Sequence, residues 1–410
     1  MAQGAVWSTS AAVIRQLAPD GAYDAAYKDG VLYNMTPKES SLEGLPWRIA
    51  VNNEGTQGKG GTVADALSNL YASNLAQFQV QNSSAQPYEY FTTARVKGSV
   101  LRGAQKSGAS VVDVWDLEMK NSTKAAHMMH SIYEYGDGTG ALGVISGGST
   151  VSSTSITLAT IQDIVNFSLN QQIQLAITAG GAIRAGTIRI TGIDRVAGTL
   201  TFAAALNASI PAAATTDVIV NAGDYNVPSP GLASWIGSSA TLYGLTRTAD
   251  PVKFGGNAYS GAGVPPQEAL MNLSALIETF GEQGDLFVCN NKKLMDFKKL
   301  IEGKVQYTRT EVKSKTAGIG YKALEFEGTN GTIRILGDRF CPYSRAYMLN
   351  MDGGFKYKSF GPLVQVLDFD SNDFLRDATD DSYTVRNGSY YVNGIDGNCV
   401  SQGVITSFMG

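Results

Sequence analysis

The sequence has few of the side chains on which most enzymes depend. Its 410 residues include two histidines, His127 and His130, and three cysteines that lie far apart. A histidine pair without further nearby ligands makes a poor metal site, and distant cysteines give neither a disulfide framework nor zinc-binding spacing. We therefore expect no catalytic residues, no metal and no cofactor, and the cysteine usage indicates a reducing compartment.

Charge and long apolar segments are also scarce. Charged residues make up 17% of the chain, and a net charge of −4 gives no general basic surface for holding nucleic acid. No apolar run approaches the ~20 residues that cross a bilayer. The first residues, Met1 to Trp7, lack the basic and then apolar pattern of a signal peptide. We expect neither secretion nor a membrane partner.

Glycine and apolar residues, in contrast, are abundant. The chain has 46 glycines, and 43% of its residues are hydrophobic. This composition is typical of an ordered globular protein with many turns and hinges. The length exceeds what one simple core accommodates, so we expect about two to four structural units.

The stretch from Leu45 to Val100 is predicted to be a projecting arm without a core of its own. An alternating run, Trp47–Val51, is followed by a glycine-rich tip and a capped helical segment over 62–75. The chain then returns through a polar segment and a second strand-like run that begins at Tyr88. An isolated two-stranded excursion is only marginally stable in water. We therefore expect this arm to lie on a neighbouring copy of the chain. The contact residues predicted in it are Trp47, Lys59, Leu67 and Tyr88.

The strongest helical pattern covers residues 104–135. Apolar side chains recur on one stripe, and charged or polar side chains, including His127 and Glu134, occupy the opposite face. At ~1.5 Å per residue such a helix would be a rod of roughly 45 Å. The stripe consists of Val111, Trp115, Met119, Ala126, Met129 and Tyr133.

Two regions of different character follow this helix. Residues 150–222 carry few charges and many short alternating runs separated by turns, which predicts a small β-barrel or compact sheet inserted into a host domain. Beyond residue 228, helical patterns at 266–280 and 291–302 alternate with strand patterns. The first of these helices is predicted to place Leu270, Leu273, Ile277 and Phe280 on one face. The chain as a whole is therefore predicted to be α+β.

For two local motifs we prefer a structural interpretation to a functional one. Gly138–Gly143 matches the dinucleotide fingerprint by its letters, but it follows a helix where the fingerprint needs a preceding strand. A run of lysines from Lys292 to Lys304 could hold nucleic acid, but the overall acidity of the chain favours a solvated helix face. Neither motif predicts a chemical site.

The acidic stretch 368–381 begins like a calcium-binding loop. Its sixth and twelfth positions are Asp373 and Thr379, where a calcium loop needs Gly and Glu. A looser cation site is one alternative, and a solvated loop is another. We favour a loop that is solvated or that meets basic groups on another subunit, and Asp370 and Asp373 are the candidates for that contact.

The order of these elements resembles the major capsid proteins of tailed bacteriophages, which share the Hong Kong ninety-seven (Johnson) fold. The resemblance covers nearly the whole chain as architecture, because the family has no short invariant motif. In that likeness the chain divides into an N-terminal arm (1–44), an E-loop hairpin (45–101), the first part of a peripheral domain with a long spine helix (102–149), a β-rich, barrel-like insertion domain (150–222), an axial domain (223–350) and the return through the peripheral domain and its loop (351–410).

The resemblance implies a non-enzymatic subunit that forms hexamers and pentamers and tiles an icosahedral shell around packaged double-stranded DNA. Such a shell is assembled in the host cytoplasm and becomes the virion capsid. Residues 1–44 are neither long nor highly charged, so the resemblance implies a separate scaffolding protein, with a portal and a decoration protein as further partners. Lys59 lies where some members carry a crosslinking lysine, and no asparagine partner is assigned.

Other classes remain open. The shell of an encapsulin-type nanocompartment has the same fold and is the nearest rival. A carbohydrate-active enzyme is suggested by 19 tyrosines, four tryptophans and the aromatic residues beside the acidic stretch 368–381. That class leaves the projecting arm and the long helix unexplained. A tail-tube or sheath subunit would be β-rich throughout, which the long helix disfavours.

Overall fold

The computed structural model describes residues 30–40, 47–52, 80–85, 87–98, 110–248, 250–301, 310–312, 321–328, 331–352, 354–367, 375–376, 379–395 and 398–409. These residues form helices together with four β-sheets, which confirms the predicted α+β class. One large apolar core joins three of the sheets, and a second apolar cluster lies beneath two helices of the last sheet.

The segment 30–40 packs onto the large core. Helix α1 (Val31–Met35) buries Leu32 and Tyr33, each of which is 1% exposed. Strand β1 (Lys38–Glu39) follows and pairs in parallel with the strand Phe355–Ser359. The stretch predicted as an N-terminal arm, 1–44, therefore includes a short part that belongs to the core.

Two strands form a small sheet of their own. Strand β2 (Trp47–Asn52) pairs antiparallel with β3 (Val80–Ala85), with Trp47 opposite Ala85 and Asn52 opposite Val80. Among the strands that the structure describes, these two pair only with each other. The residues that join them, 53–79, lie outside the described residues, and so does the helix predicted over 62–75.

The run that begins at Tyr88 belongs to a different sheet from the one predicted. It forms β4 (Tyr88–Lys97), which pairs antiparallel along most of the long strand β20 (Ser382–Ile395). The run joins this sheet because its apolar side chains alternate along the strand, so that Tyr90, Ala94 and Val96 are buried on one face. The arm therefore returns through the polar segment β3, as predicted, whereas the Tyr88 run, which was predicted to continue that return, pairs with β20 instead.

Strand β20 is the centre of a six-stranded sheet. Opposite β4 it pairs with β17 (Phe355–Ser359), β18 (Gln365–Val366) and β19 (Leu375–Arg376). Strand β1 extends the sheet beyond β17. This sheet provides the surface on which the long helix lies.

The long helix α2 runs from Ser110 to Tyr133 and packs against β4, which confirms the helix predicted within 104–135. Where its side chains are described, the predicted apolar stripe is buried. The buried members are Met119, Ala126, Met129 and Tyr133. Glu134, which was predicted on the polar face, is 0% exposed, because the segment 30–40 covers the end of the helix and its Thr36 hydroxyl contacts the carboxyl group.

A closed β-barrel follows the helix. Its strand order is β5-β10-β7-β8-β9-β6, and the Ile145–Leu158 bridge with the flanking bonds Ser146 N to Thr157 O (2.9 Å) and Ala159 N to Val144 O (2.8 Å) joins the last strand to the first. The barrel thus begins near Ala141, earlier than the predicted boundary at 150. Its elements are β5 (Ala141–Val144), β6 (Ser155–Thr157), a 3₁₀ helix (Ile161–Asn166), β7 (Gln172–Ala176), β8 (Ile188–Asp194), β9 (Thr199–Phe202), α3 (Leu206–Ser209) and β10 (Val218–Asn221).

A seven-stranded mixed sheet completes the fold, in the order β11-β21-β16-β12-β15-β14-β13. The helices α6 (Pro266–Thr279) and α7 (Asn291–Ile301) pack on one face of it. The other face joins the large core. The remaining elements are α4 (Leu232–Trp235), α5 (Pro251–Gly255), β11 (Asn257–Ser260), β12 (Leu286–Asn290), β13 (Thr310–Val312), β14 (Tyr321–Glu327), β15 (Thr332–Asp338), β16 (Arg345–Leu349) and β21 (Gly403–Thr406).

Candidate assembly surfaces

Two of the six predicted contact residues, Trp47 and Tyr88, lie in the described part of the chain. Trp47 begins β2, opposite Ala85. Tyr88 begins β4, where it is half-buried and its ring lies 6.4 Å from the ring of Tyr243. Its role as an inter-subunit contact stays a prediction. The other predicted residues, Lys59, Leu67, Asp370 and Asp373, lie outside the described residues.

The β2–β3 pair has the geometry of a projecting ribbon. Within the described part of the chain, neither outer edge of the ribbon pairs with a further strand. Unpaired N–H and C=O groups on such edges are available to another chain. A ribbon of two strands needs support from a further surface to be stable in water. The ribbon is therefore the first candidate for contact with another molecule.

The outer sides of α6 and α7 form a second candidate surface. The predicted inner face of α6 is confirmed for Leu270, Leu273 and Ile277, which are all 0% exposed. Phe280 was predicted on the same face but is 49% exposed, because the helix ends at Thr279 and the chain turns away. On α7, Phe297 is buried while Leu300 is 55% exposed.

A buried polar cluster fixes the C-terminal end of α2 to its surroundings. The Asp224 carboxylate accepts hydrogen bonds from Tyr133 (2.6 Å), Asn221 (2.8 Å) and Tyr90 (3.3 Å). Burial raises the pKa of Asp224, against the opposing effect of these donors. The cluster joins the barrel exit to α2 and β4, so it positions the barrel relative to the helix.

A neighbouring cluster holds the segment 30–40 in place. The Thr36 hydroxyl donates to Glu134 Oε1 over 2.5 Å, and the Leu32 amide donates to Asp338 Oδ2 over 3.0 Å. Burial raises the pKa of Glu134 to about 8 and also raises that of Asp338. These buried carboxyl groups have structural partners, which explains their presence without any catalytic role.

The two histidines do not form a metal site together. The Tyr33 hydroxyl lies 2.8 Å from His127 Nδ1, and the Ser389 hydroxyl lies 3.0 Å from His130 Nε2. In the described residues, no group of three histidine, cysteine, aspartate or glutamate side chains is placed to hold a metal ion. The pair instead belongs to an aromatic cluster, in which the rings of His130 and Tyr391 are 4.7 Å apart.

We expect both histidines to remain neutral in the folded chain down to about pH 5. Burial lowers the pKa of His127 to about 4 and of His130 to about 3. Because the unfolded chain binds these protons near pH ~6.5, the stability that they contribute is complete above that pH and falls as the pH decreases towards the folded values. NMR of ¹⁵N-histidine-labelled protein should show two neutral rings between pH 7 and 5, and a midpoint near 6.5 for either ring would contradict this account.

The structure shows where the other motifs of the sequence lie, as far as they belong to the described residues. Gly138–Gly143 joins α2 to the barrel and is preceded by a helix, as the sequence predicted. Asp380, at the end of the acidic stretch, forms an exposed ion pair with Arg95 (3.1 Å). Lys293 is 5% exposed, and its Nζ donates to the Met409 carbonyl over 2.6 Å, so the lysine run is not uniformly solvated.

Sequence reasoning missed the buried carboxyl groups Asp224 and Asp338, because no local pattern marks a carboxylate whose donors come from distant strands. The exposed apolar residues Met271 and Met295 were missed as well, although each falls outside the buried stripe of its helix and helical phase could have marked it. None of the described helices is both long and apolar enough to cross a bilayer.

No protein-family model matches the chain, and no curated protein matches it by sequence. Several solved structures are similar to it. The capsid asymmetric unit of cyanophage A-1(L) has a TM-score of 0.48 at 12% identity, covering 94% of this chain and 95% of that one. A holo-SrpI encapsulin complex from Synechococcus elongatus PCC 7942 has a TM-score of 0.45 at 7% identity, covering 92% and 86%. A chain of Mycobacterium phage Ogopogo has a TM-score of 0.42 at 9% identity, covering 92% of each.

Proposed function

We propose that this protein is a non-enzymatic shell subunit, the major capsid protein of a tailed bacteriophage. Hexamers and pentamers of the chain would close an icosahedral shell around packaged double-stranded DNA. The observation that carries the proposal is the β2–β3 ribbon, whose outer edges pair with no further strand among the described residues. A neighbouring copy supplies the missing surface, and in a closed shell every copy gives and receives such an arm.

The architecture of the described residues fits this proposal. The ribbon and the residues 53–79 act as the E-loop, and α2 acts as the spine helix across the β20 sheet. The seven-stranded sheet with α6 and α7 acts as the axial domain. The barrel acts as an insertion domain, which is supported by the closeness of its entry and exit, where Asn226 N donates to Thr139 O over 3.1 Å.

The proposed role as a shell subunit implies DNA as the contents and further proteins as partners. The net charge of −4 suits a container that encloses DNA without gripping it, because tight phosphate binding would need a basic surface. A separate scaffolding protein, a portal and a decoration protein are the further partners that we propose. Assembly takes place in the host cytoplasm, and the mature location is the virion capsid.

Negative-stain electron microscopy of the purified protein tests the proposal. We expect closed, roughly spherical particles of uniform size, formed by the protein alone or with its scaffolding protein. Only small soluble species in both samples, at concentrations at which shell proteins assemble, would contradict the proposed function. Sheets or tubes would support self-association and contradict closure.

The contents of particles isolated from the native source separate a virus shell from a nanocompartment. We expect nuclease-protected double-stranded DNA of uniform length inside them. Particles that hold a folded cargo enzyme and no DNA would instead assign the chain to an encapsulin-type compartment.

A further inference from the structure

The helices α6 and α7 pack on the same face of the seven-stranded sheet, α6 on β11 and β21 and α7 on β12 and β15, and both expose apolar side chains on their outer sides. Met271 on α6 and Met295 on α7 are each 55% exposed. Their inner sides are fixed, because Leu273 and Phe297 are buried in the cluster between helices and sheet. Methionine is enriched in protein interfaces, where its flexible side chain fills irregular gaps.

The two outer sides carry opposite charge. Helix α6 contains Glu268 and Glu278 and has no lysine or arginine. Helix α7 contains four lysines and one aspartate. Glu268 on α6 and Lys292 and Lys299 on α7 are exposed. Each helix therefore presents a methionine beside charges of a single prevailing sign, acidic on α6 and basic on α7.

We propose that the outer side of α6 on one copy docks against the outer side of α7 on a second copy. This contact rests on the proposed shell function and specifies one of its interfaces. Met271 and Met295 form its apolar centre, and Glu268 faces the lysines Lys292 and Lys299 across it.

A second copy of the chain is the occupant that the charges favour. The acidic and basic sides belong to the same chain, so two copies supply both halves of the contact without any other partner. Complementary charges around an apolar centre set the register and orientation of a docked pair. Within one chain the two sides cannot meet, because both helices are held by their inner sides on the same sheet face.

Charge reversal tests the contact. Glu268→Lys alone, and Lys292→Glu with Lys299→Glu, should each lower the yield of closed particles at least about tenfold, because like charges then face each other. The chain that carries all three substitutions should recover particles, because the complementarity is restored with exchanged signs. The thermal transition of the unassembled subunit serves as the check that each variant folds.

A second pair of variants tests the apolar centre without changing charge. Met271→Gln and Met295→Gln keep good helix formers on exposed positions, so folding should be unchanged while assembly weakens. The matched control is Val196→Gln at the tip of the barrel, where Val196 is 90% exposed, and we expect normal particles from it.

The outcomes separate this contact from the function on which it rests. If the wild-type chain forms shells, two results would overturn the α6–α7 contact: charge-reversed variants that assemble normally, or a triple variant that does not recover. Either result would leave the shell function standing. A wild-type chain that forms no shell in any condition would overturn the shell function itself.

Discussion

Replacing residues 53–79 by the two-residue turn Asn-Gly should leave a folded subunit that forms no closed shells. Asn52 and Val80 are paired at the open end of the ribbon, so a tight type I′ turn can join β2 directly to β3. The three larger sheets do not pair with the ribbon in the described residues, so the thermal transition should change little. Electron microscopy and sedimentation would measure how many closed shells the variant forms.

A second variant, with a glycine-serine linker of equal length in place of residues 53–79, separates the length of the arm from its side chains. It keeps the reach of the arm but removes its specific side chains, including Lys59 and Leu67. We expect this variant also to fail to form robust shells, because the arm must contact its neighbour through defined side chains. Normal particles from the shortened chain would show that residues 53–79 have no part in assembly.

Gly231→Ala should be among the most destabilising single substitutions in the described chain. A Cβ at Gly231 would overlap the carbonyl oxygens of Tyr133 and Glu134 at the end of α2. The Leu232 amide donates to the Glu134 carbonyl over 2.8 Å, and this bond would be lost as the loop moves away. We expect a decrease of about 3 kcal/mol or more in the free energy of unfolding, because backbone atoms cannot repack around the new group.

Gly263→Ala is the control for this substitution. Gly263 has a φ of 70°, which costs a non-glycine residue about 1 kcal/mol in strain, but nothing lies within 4 Å of its Cβ position. Chemical denaturation should give Gly231→Ala a clearly lower free energy of unfolding than Gly263→Ala. An equal loss in the two would show that the contact of the loop with the end of α2 is not tight.

The elements whose apolar residues repeat at a regular spacing could be predicted from the sequence. The stripe from Met119 to Tyr133 repeats at helical spacing over several turns, so α2 could be predicted with its buried side. The alternating runs of the barrel predicted strands and close turns in the same way. Its early start at Ala141 was missed, because the short run Ala141–Val144 becomes a strand only through its partner β10.

Long-range pairing could not be predicted from local patterns. The Tyr88 run alternates as a hairpin strand would, and nothing in it specifies β20, which is almost 300 residues away in the chain, as its partner. Glu134 has the charge of a surface residue, and only the covering segment 30–40 buries it. The candidate surfaces follow the same rule, because helical phase could have marked Met271 and Met295 as exposed, whereas no local pattern marks the Asp224 cluster.

Hydrogen exchange of the ribbon tests the central claim most directly. If a neighbouring copy supports β2 and β3, the amides of residues 47–52 and 80–85 should exchange rapidly in subunits that are kept unassembled by dilution. They should become strongly protected in shells, while the strands of the barrel exchange equally slowly in both samples. Equal protection of the ribbon in the two samples would contradict the claim that identical copies complete its burial.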